Sequence, residues 1–391
     1  MLYWDTLNQG NRCGGSNTRN RVKNMDLASI AAAFGLTGQV ERTEEICTGN
    51  INRTFEIAVR DERSGKVDRY IFQKLNTFVF QHPCEVMDNI LAVTEHMKRR
   101  LFSRDGSHER RVLSFLTTPE GKPYVEDKEK GFWRAYRYVD HARTYNLIEN
   151  PYYFRQAGIA FGEFQGLLAD FPARTLSETI PHFHDTPHRM RDFRRALAED
   201  RASRAAGIAR EAAYLLANEE QTGELIRMLE AGVIPYRVTH NDTKINNVLF
   251  DTETDRAICV IDLDTVMPGA SAYDFGDAVR SGASTAEEDE VNLEKVSFSL
   301  ELFEKFTEGF LTGTAGLLTP EEIDLLPLGA RTLTLELAAR FLMDYLDGDI
   351  YFKVTRPEHN LIRARTQIKL AQDMEEKFSR MQAVVNRYRR T

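Results

Sequence analysis

Beyond residue 139 most of the chain has the periodicity of helices, and one stretch breaks it. "NVLFD" and "RAICVIDLD", within Asn247 to Val266, are two apolar strand-like runs joined by the polar turn "TETD", the pattern of a β-hairpin. A hairpin returns its outer ends to one side, so Asn247 at the start of one run and Asp262 at the end of the other are expected together. The preceding residues, within "VTHNDTKINNVLFD", follow the order H-x-D-x-K-x-x-N: His240, Asp242, Lys244 and Asn247. The hairpin therefore gathers Asp242, Asn247, Asp262 and, two residues on, Asp264 as a further candidate, with Lys244 beside them. Carboxylates and an amide oxygen are hard ligands suited to Mg²⁺.

That set matches the needs of phosphoryl transfer. One Asp orients the attacking hydroxyl, while an Asn and a second Asp hold the metal that neutralises the phosphates. Asp242 and Asn247 alone could equally be a solvated loop or a helix cap. "VIDLD", whose Asp262 lies fifteen residues after Asn247, tips the reading toward chemistry.

The chain before the helical region is different. "VERTEEICTG", "RTFEIAVRD" and "DRYIFQKLN" are β-type segments separated by the turns "GNIN" and "RSGK", an antiparallel meander. A helix over about Glu85 to Phe102 follows, and "RRVLSFLTT", "PYVED" and "FWRAYRYVD" add β-type sequence up to Val139. Ahead of the meander, "MDLASIAAAFGL" reads as a helix from Met25, and residues 1–24, rich in Asn, Arg and Gly without periodicity, read as a flexible tail.

A length of 391 residues with 42% apolar content suits two lobes. Lys and Arg number 51 against 59 Asp and Glu, and no long stretch is purely basic, which argues against a nucleic-acid partner. Cys13, Cys47, Cys84 and Cys259 are scattered, with no C-x-x-C pair, as in a reduced cytoplasmic protein. No window has the eighteen or so apolar residues of a membrane span and no secretory h-region opens the chain, so a cytoplasmic location without membrane contact is expected.

"THNDTKINNVLF" followed by "VIDLDTVMPGASAYDFGD" resembles the aminoglycoside phosphotransferase and choline kinase superfamily, and within it the N-acetylhexosamine 1-kinase group. The likeness continues through "GNINRTF", "YIFQKLN", "TIPHFHDTPHR", "GDAVRSGA" and "ELAARFLMDYLDGDIYFK", from Met25 to about Lys377. It implies an α+β, bilobal protein-kinase-like fold: a small β-rich nucleotide-binding lobe over 25–138 and a large, mainly helical catalytic and substrate-binding lobe over 139–391.

The resemblance implies residue roles. Asp242 is the catalytic base, Lys244 a partner of the transferring phosphate, and Asn247 and Asp262 the metal ligands. Asp264 is either a metal or supporting group, or a loop cap. His240 is structural, bracing the catalytic loop and the Asp262 segment. Lys74, at the end of "YIF", corresponds to the phosphate-binding lysine, although on residues alone it could be a strand-edge lysine with its stem on apolar surface. Glu85 and Glu95 are both available as its partner. Gly49, Asn50 and Asn52 of the turn cover the nucleotide phosphates or reach toward the sugar, and the main chain of Tyr138 and Val139 meets adenine.

In the helical region, "TLTLELAARFLMDYLDGDIYF" is apolar around most of its circumference, yet Glu336, Arg340, Asp344 and Asp347 form a charged stripe. A polar stripe on a buried helix lines a cavity or forms an internal ion-pair ladder. The resemblance implies that Arg340 and Tyr351 contact a hexosamine, with Glu336 and Asp344 as further candidates. Asp274, Asp277 and Arg280 of "DFGDAVRSGA" are expected to brace the catalytic loop. His182, His184 and His188 lack helical metal-ligand order and read as a structured surface loop, and "RRALAEDRASRAAGIAREAAYLLANEEQ" as a solvated helix pair.

The expected activity is Mg-ATP-dependent phosphorylation of the anomeric hydroxyl of N-acetylglucosamine or N-acetylgalactosamine. Kinases acting on an aminoglycoside, choline or another sugar are the alternative, and a catalytically silent ligand-binding homologue is a further one. The small-molecule sugar is the expected partner, and the oligomeric state is open.

Overall fold

The computed structural model describes residues 27–46 and 51–389, which fall into two compact units that divide at Ala142 and Arg143. Gly49, Asn50, Cys13, Cys47 and the tail over residues 1–24 lie outside the described residues.

The N-terminal unit is a five-stranded antiparallel sheet with α1 (Leu27–Ala33) and α2 (Pro83–Asp105). Its strands are β1 (Gly38–Ile46), β2 (Arg53–Asp61), β3 (Val67–Lys74), β4 (Val125–Asp127) and β5 (Gly131–Arg137), in the order β1-β2-β3-β5-β4. Alternation puts Phe55, Ile57 and Val59 of β2 on one face, and the register pairs Phe55 with Phe72 and Phe72 with Ala135 across three strands. Leu27, Ile30, Ala31 and Phe34 complete that core, the Phe34 ring meeting Phe72 edge-on at 5.7 Å. Pro83 opens α2, and Gly106, at φ +72°, closes it by donating its N–H to Phe102 O.

The strand expected at "RRVLSFLTT" does not form. Leu116 N donates to Ala135 O and Arg137 N to Ser114 O, but only Phe115 and Tyr136 make a bridge. β4 pairs with the earlier residues of β5, 131–133, which leaves this segment only a short length of strand to pair with.

A two-residue strand, β6 (Ala142–Arg143), stands at the division. The C-terminal unit is mainly helical. It contains α3 (Pro151–Leu167), α4 (Thr186–Glu199), a run of short helices over 205–230, α5 (Ser271–Gly282), α6 (Leu300–Thr314), α7 (Leu326–Asp347), α8 (His359–Glu376) and α9 (Phe378–Tyr388). The solvated helix pair expected near residues 194–221 is instead broken after Glu199, and Ile208, Ala212 and Leu215 are buried.

Two helix contacts rest on glycine. A Cβ on Gly162 of α3 would lie 2.2 Å from Phe310 O of α6, and one on Gly309 of α6 would lie 2.1 Å from Arg155 O of α3. Likewise a Cβ on Gly276 of α5 would stand 2.5 Å from Gly329 O of α7. Backbone meets backbone at both crossings, which fixes α3, α5 and α7, the helices that carry the polar groups described below.

The β elements of this unit are nested. β7 (Arg237–Thr239) pairs with β10 (Met267–Gly269), Thr239 opposite Met267, and β8 (Val248–Asp251) pairs with β9 (Ala257–Val260), Val248 opposite Val260. The segments between them, 240–247 and 261–266, are thereby laid side by side.

Candidate active site

His240 ties these two segments together. Its Nε2 bonds Ile261 O at 2.9 Å and its Nδ1 accepts the N–H of Asp242 at 3.2 Å. An acceptor Nδ1 and a donor Nε2–H define a neutral imidazole with both nitrogens spent. The ring is buried, with Phe161 and Phe164 of α3 edge-on at 5.6 and 5.9 Å.

Two acids on α5 hold the backbone of the same loop. Asp274 accepts the N–H groups of His240 and Asn241 at 3.0 and 2.8 Å, and Gln165 Nε2 of α3 at 2.6 Å. Asp277 accepts the N–H of Thr243 at 2.9 Å and is paired with Arg280 Nη2 at 2.8 Å. Burial pushes the Asp274 carboxyl above its usual range despite these donors. For Asp277, burial is outweighed by the Arg280 guanidinium and then Lys244, and its carboxyl is held down. Asn241 and Asp262 both have left-handed backbone, at φ +66° and +62°, conformations that Asn and Asp tolerate better than most residues. Thr265 Oγ1 donates to His240 O and Asn241 Nδ2 to Thr265 O, closing the loop against the Asp262 segment.

Asp242, 8% exposed, sits at the front of this frame. Its Oδ1 is 3.3 Å from Lys244 Nζ, and its Oδ2 accepts from Asn247 Nδ2 at 3.0 Å. Asn247 O accepts the N–H of Ile261 at 2.9 Å, which sets Asp262, the next residue, beside the loop. With Nδ2 turned to Asp242, Oδ1 is the atom with which Asn247 can meet a cation. Asp264 is buried on the turn Leu263–Thr265 that follows Asp262.

On α7, Glu336 is buried between His184 Nδ1 at 3.0 Å and Thr186 Oγ1 at 2.9 Å, with Arg340 Nη1 at 4.0 Å. Burial works to raise its pKa but is outweighed by the His184 ring, then by Arg340 and Arg189, and the carboxyl is held at about 2. His184 is therefore a buried partner of α7, a correction to the surface-loop reading of its segment, because the acid it answers lies 152 residues away. The Arg340 guanidinium lies 5.9 Å from the exposed Tyr351 ring, and burial followed by the nearby Arg189 lowers its pKa. Asp344 is a different case. It accepts the N–H groups of Ile350, Tyr351 and Phe352 and the amide of Asn360, all at 2.7–2.9 Å, so both oxygens are engaged in stapling the turn that presents Tyr351. Asp347 is 3.4 Å from Arg201.

In the N-terminal unit, Lys74 runs over Gly131, where a Cβ would stand 2.6 Å from Lys74 Cε, and its Nζ lies 6.0 Å from the Trp133 ring centre. Among the described residues no carboxylate pairs with it, and Glu95 is bonded to Lys98 at 2.8 Å. Asn52 Oδ1 accepts the N–H of Asn76 at 3.0 Å, stapling the residues after β3. The N–H of Tyr138 is given to Arg69 O at 3.0 Å and is thus not available to a nucleobase, and Val139 follows half-buried.

Gln165, Thr243 and Thr265 stand out in no sequence motif as site residues. Gln165 had one signal, a polar side chain within the apolar run of α3.

The fold and this loop architecture define a kinase-like phosphotransferase. The sequence profile of the phosphotransferase enzyme family matches residues 44–305, and the chain belongs to that family. Similar solved structures include an aminoglycoside phosphotransferase from Alicyclobacillus acidocaldarius, 14% identical with a TM-score of 0.55 over 92% of this chain and 96% of that one. A choline kinase from Cryptosporidium parvum is 14% identical with a TM-score of 0.52 over 90% and 93%. A spectinomycin phosphotransferase, in complex with ADP and spectinomycin, is 15% identical with a TM-score of 0.51 over 93% and 97%. Among the described residues no helix is long and apolar enough to cross a membrane.

Proposed function

We propose that the protein is an ATP- and Mg²⁺-dependent kinase that phosphorylates the anomeric hydroxyl of an N-acetylhexosamine, N-acetylglucosamine or N-acetylgalactosamine. The observation that carries phosphoryl transfer is the Asp242 carboxylate, fixed between Lys244 and Asn247 on a loop whose backbone is held by Asp274, Asp277 and His240. In this reading Asp242 orients the acceptor hydroxyl and takes its proton as the oxygen–phosphorus bond forms. Lys244 offsets charge on the transferring group, and Lys74 serves the nucleotide phosphates. Asn247 Oδ1 and Asp262, with Asp264 next along the turn, are the oxygen donors that fit Mg²⁺. Mg²⁺, when bound, supplies neutralisation of the phosphate charge.

The acceptor class follows from α7 and its loop. Arg340, buried beside Glu336 and Tyr351, offers forked N–H donors that suit hydroxyls and an acetamido oxygen. The resemblance of "ELAARFLMDYLDGDIYFK" to the N-acetylhexosamine 1-kinases supports the same acceptor.

The test is incubation with Mg-ATP and a panel of N-acetylglucosamine, N-acetylgalactosamine, plain hexoses, choline and an aminoglycoside, with products read by mass and phosphorus NMR. A hexosamine 1-phosphate that disappears in Asp242→Asn is expected. Product from another acceptor alone would overturn the hexosamine reading, and near-normal turnover in Asp242→Asn would overturn the assignment of the base.

A further inference from the structure

Away from the phosphotransfer loops, the entrance to α4 gathers two imidazoles and a carboxylate. His182 and His188 stand six residues apart, yet their rings lie face to face, with centres 4.0 Å apart and planes within 8°. Asp185 caps α4: its Oδ1 accepts the N–H of His188 at 2.9 Å, which leaves Oδ2 at 3.0 Å from His182 Nδ1. One donor atom from each of the three residues lies within 4.8 Å of the other two. His182 is held in place by left-handed backbone at φ +55° and by its N–H on Glu178 Oε1 at 3.0 Å. On His188, Nε2 is 3.3 Å from Asp192 Oδ2. A carboxylate beside Nε2 favours the proton on that nitrogen and leaves the lone pair on Nδ1, the arrangement in which metal-binding histidines are usually held.

We propose that His182, Asp185 and His188 bind one Zn²⁺. Two imidazole nitrogens and one carboxylate oxygen are a borderline set that favours zinc over Mg²⁺, and three protein ligands leave a position for water. The side chains are exposed or half-buried, so the rings are able to turn and bring the nitrogens to bonding distance. Arg191 Nη2, 3.4 Å from His188 Nδ1, is the competitor, a long hydrogen bond from an exposed side chain that the cation displaces. His184, between His182 and Asp185 in sequence, points to Glu336, so zinc fastens the turn that places His184 and leaves Asp242 untouched.

The test is calorimetric titration of Zn²⁺ into untagged, metal-free full-length protein, with absorption of the Co²⁺-substituted form as a direct view of the ligands. One equivalent is expected, lost in His182→Gln and in His188→Gln. Asp192→Asn should weaken it about 10–100-fold, as loss of an outer partner of a metal-binding histidine does, and Arg191→Ala should tighten it. The exposed His182 can be replaced without touching the core, so His182→Gln with an unchanged circular dichroism spectrum is the deciding variant. Zinc binding that survives in it, or no stoichiometric binding by the parent protein, would overturn the proposal.

Discussion

Replacing Glu336 by Gln isolates one buried charge. The amide keeps the shape and both bonds: Oε1 can still accept from His184 Nδ1–H, and Nε2 can donate to Thr186 Oγ1 in place of the present acceptance. What is lost is the charge. The folded-state pKa of about 2 stands against an ordinary value of 4.5. At 1.36 kcal/mol per pH unit, the difference corresponds to about 3 kcal/mol of stability at pH 7. Because the folded value is depressed, that contribution is present in full above the unfolded pKa and is lost as the pH falls through 4.5 toward 2. Urea unfolding of both proteins should therefore differ by about 3 kcal/mol at pH 7 and by about half of that at pH 3. Far-UV circular dichroism is the suitable probe, since both tryptophans, Trp4 and Trp133, precede the mainly helical C-terminal unit. A difference below about 1 kcal/mol at pH 7, or one that does not shrink on acidification, would refute the idea that the Glu336 charge is held by His184, Arg340 and Arg189.

Gly162→Ala should destabilise by about 1–3 kcal/mol through overpacking, only partly offset by the helix propensity of alanine, because its Cβ would stand 2.2 Å from Phe310 O; an unchanged thermal midpoint would count against a backbone-to-backbone crossing. Asp262→Ala should weaken Mg-ATP binding at least tenfold, read by calorimetry with and without Mg²⁺, and a variant that keeps the parent's affinity and its dependence on Mg²⁺ would remove Asp262 from the metal set. Asp344→Asn replaces one acceptor oxygen by a donor against the 350–352 turn. It should raise the acceptor KM more than it lowers kcat, because it loosens Tyr351, and a change in kcat alone would contradict the staple.

The parts legible in the sequence were those written in local pattern. The hairpin over 247–266 announced itself by two apolar runs and a polar turn, and its geometry made Asn247 and Asp262 neighbours; Ile261 N does bond Asn247 O. Partner choice over long separations was not legible. Gln165 meets Asp274 from 109 residues away and His184 meets Glu336 from 152, and nothing in "HFHDTP" distinguishes the buried histidine from the exposed one two residues earlier. The charged stripe on α7 was visible, but its division was not. Asp344 turned out to face three N–H groups of its own following turn, a contact that depends on where Gly348 ends the helix with φ +98°. The "RRVLSFLTT" strand failed for a related reason: β propensity needs a free length of neighbouring strand, and β5 had little left.

The way the 240–247 loop is held also narrows which of its groups can act. His240 spends both ring nitrogens, one on the backbone of its own loop and one on Ile261 O, so it has no lone pair to take a proton from a substrate. Asp274 and Asp277 spend their oxygens on loop N–H groups and on Gln165 and Arg280, bonds whose loss would let the loop move. Asp242 differs in kind. Its carboxylate bonds are to side chains, one of them a 3.3 Å contact with Lys244, and a lysine can follow a phosphate without disturbing the backbone. A frame built from groups that cannot yield, around one carboxylate whose partners can, is the arrangement expected where a proton has to be taken from a hydroxyl with no other movement of the loop.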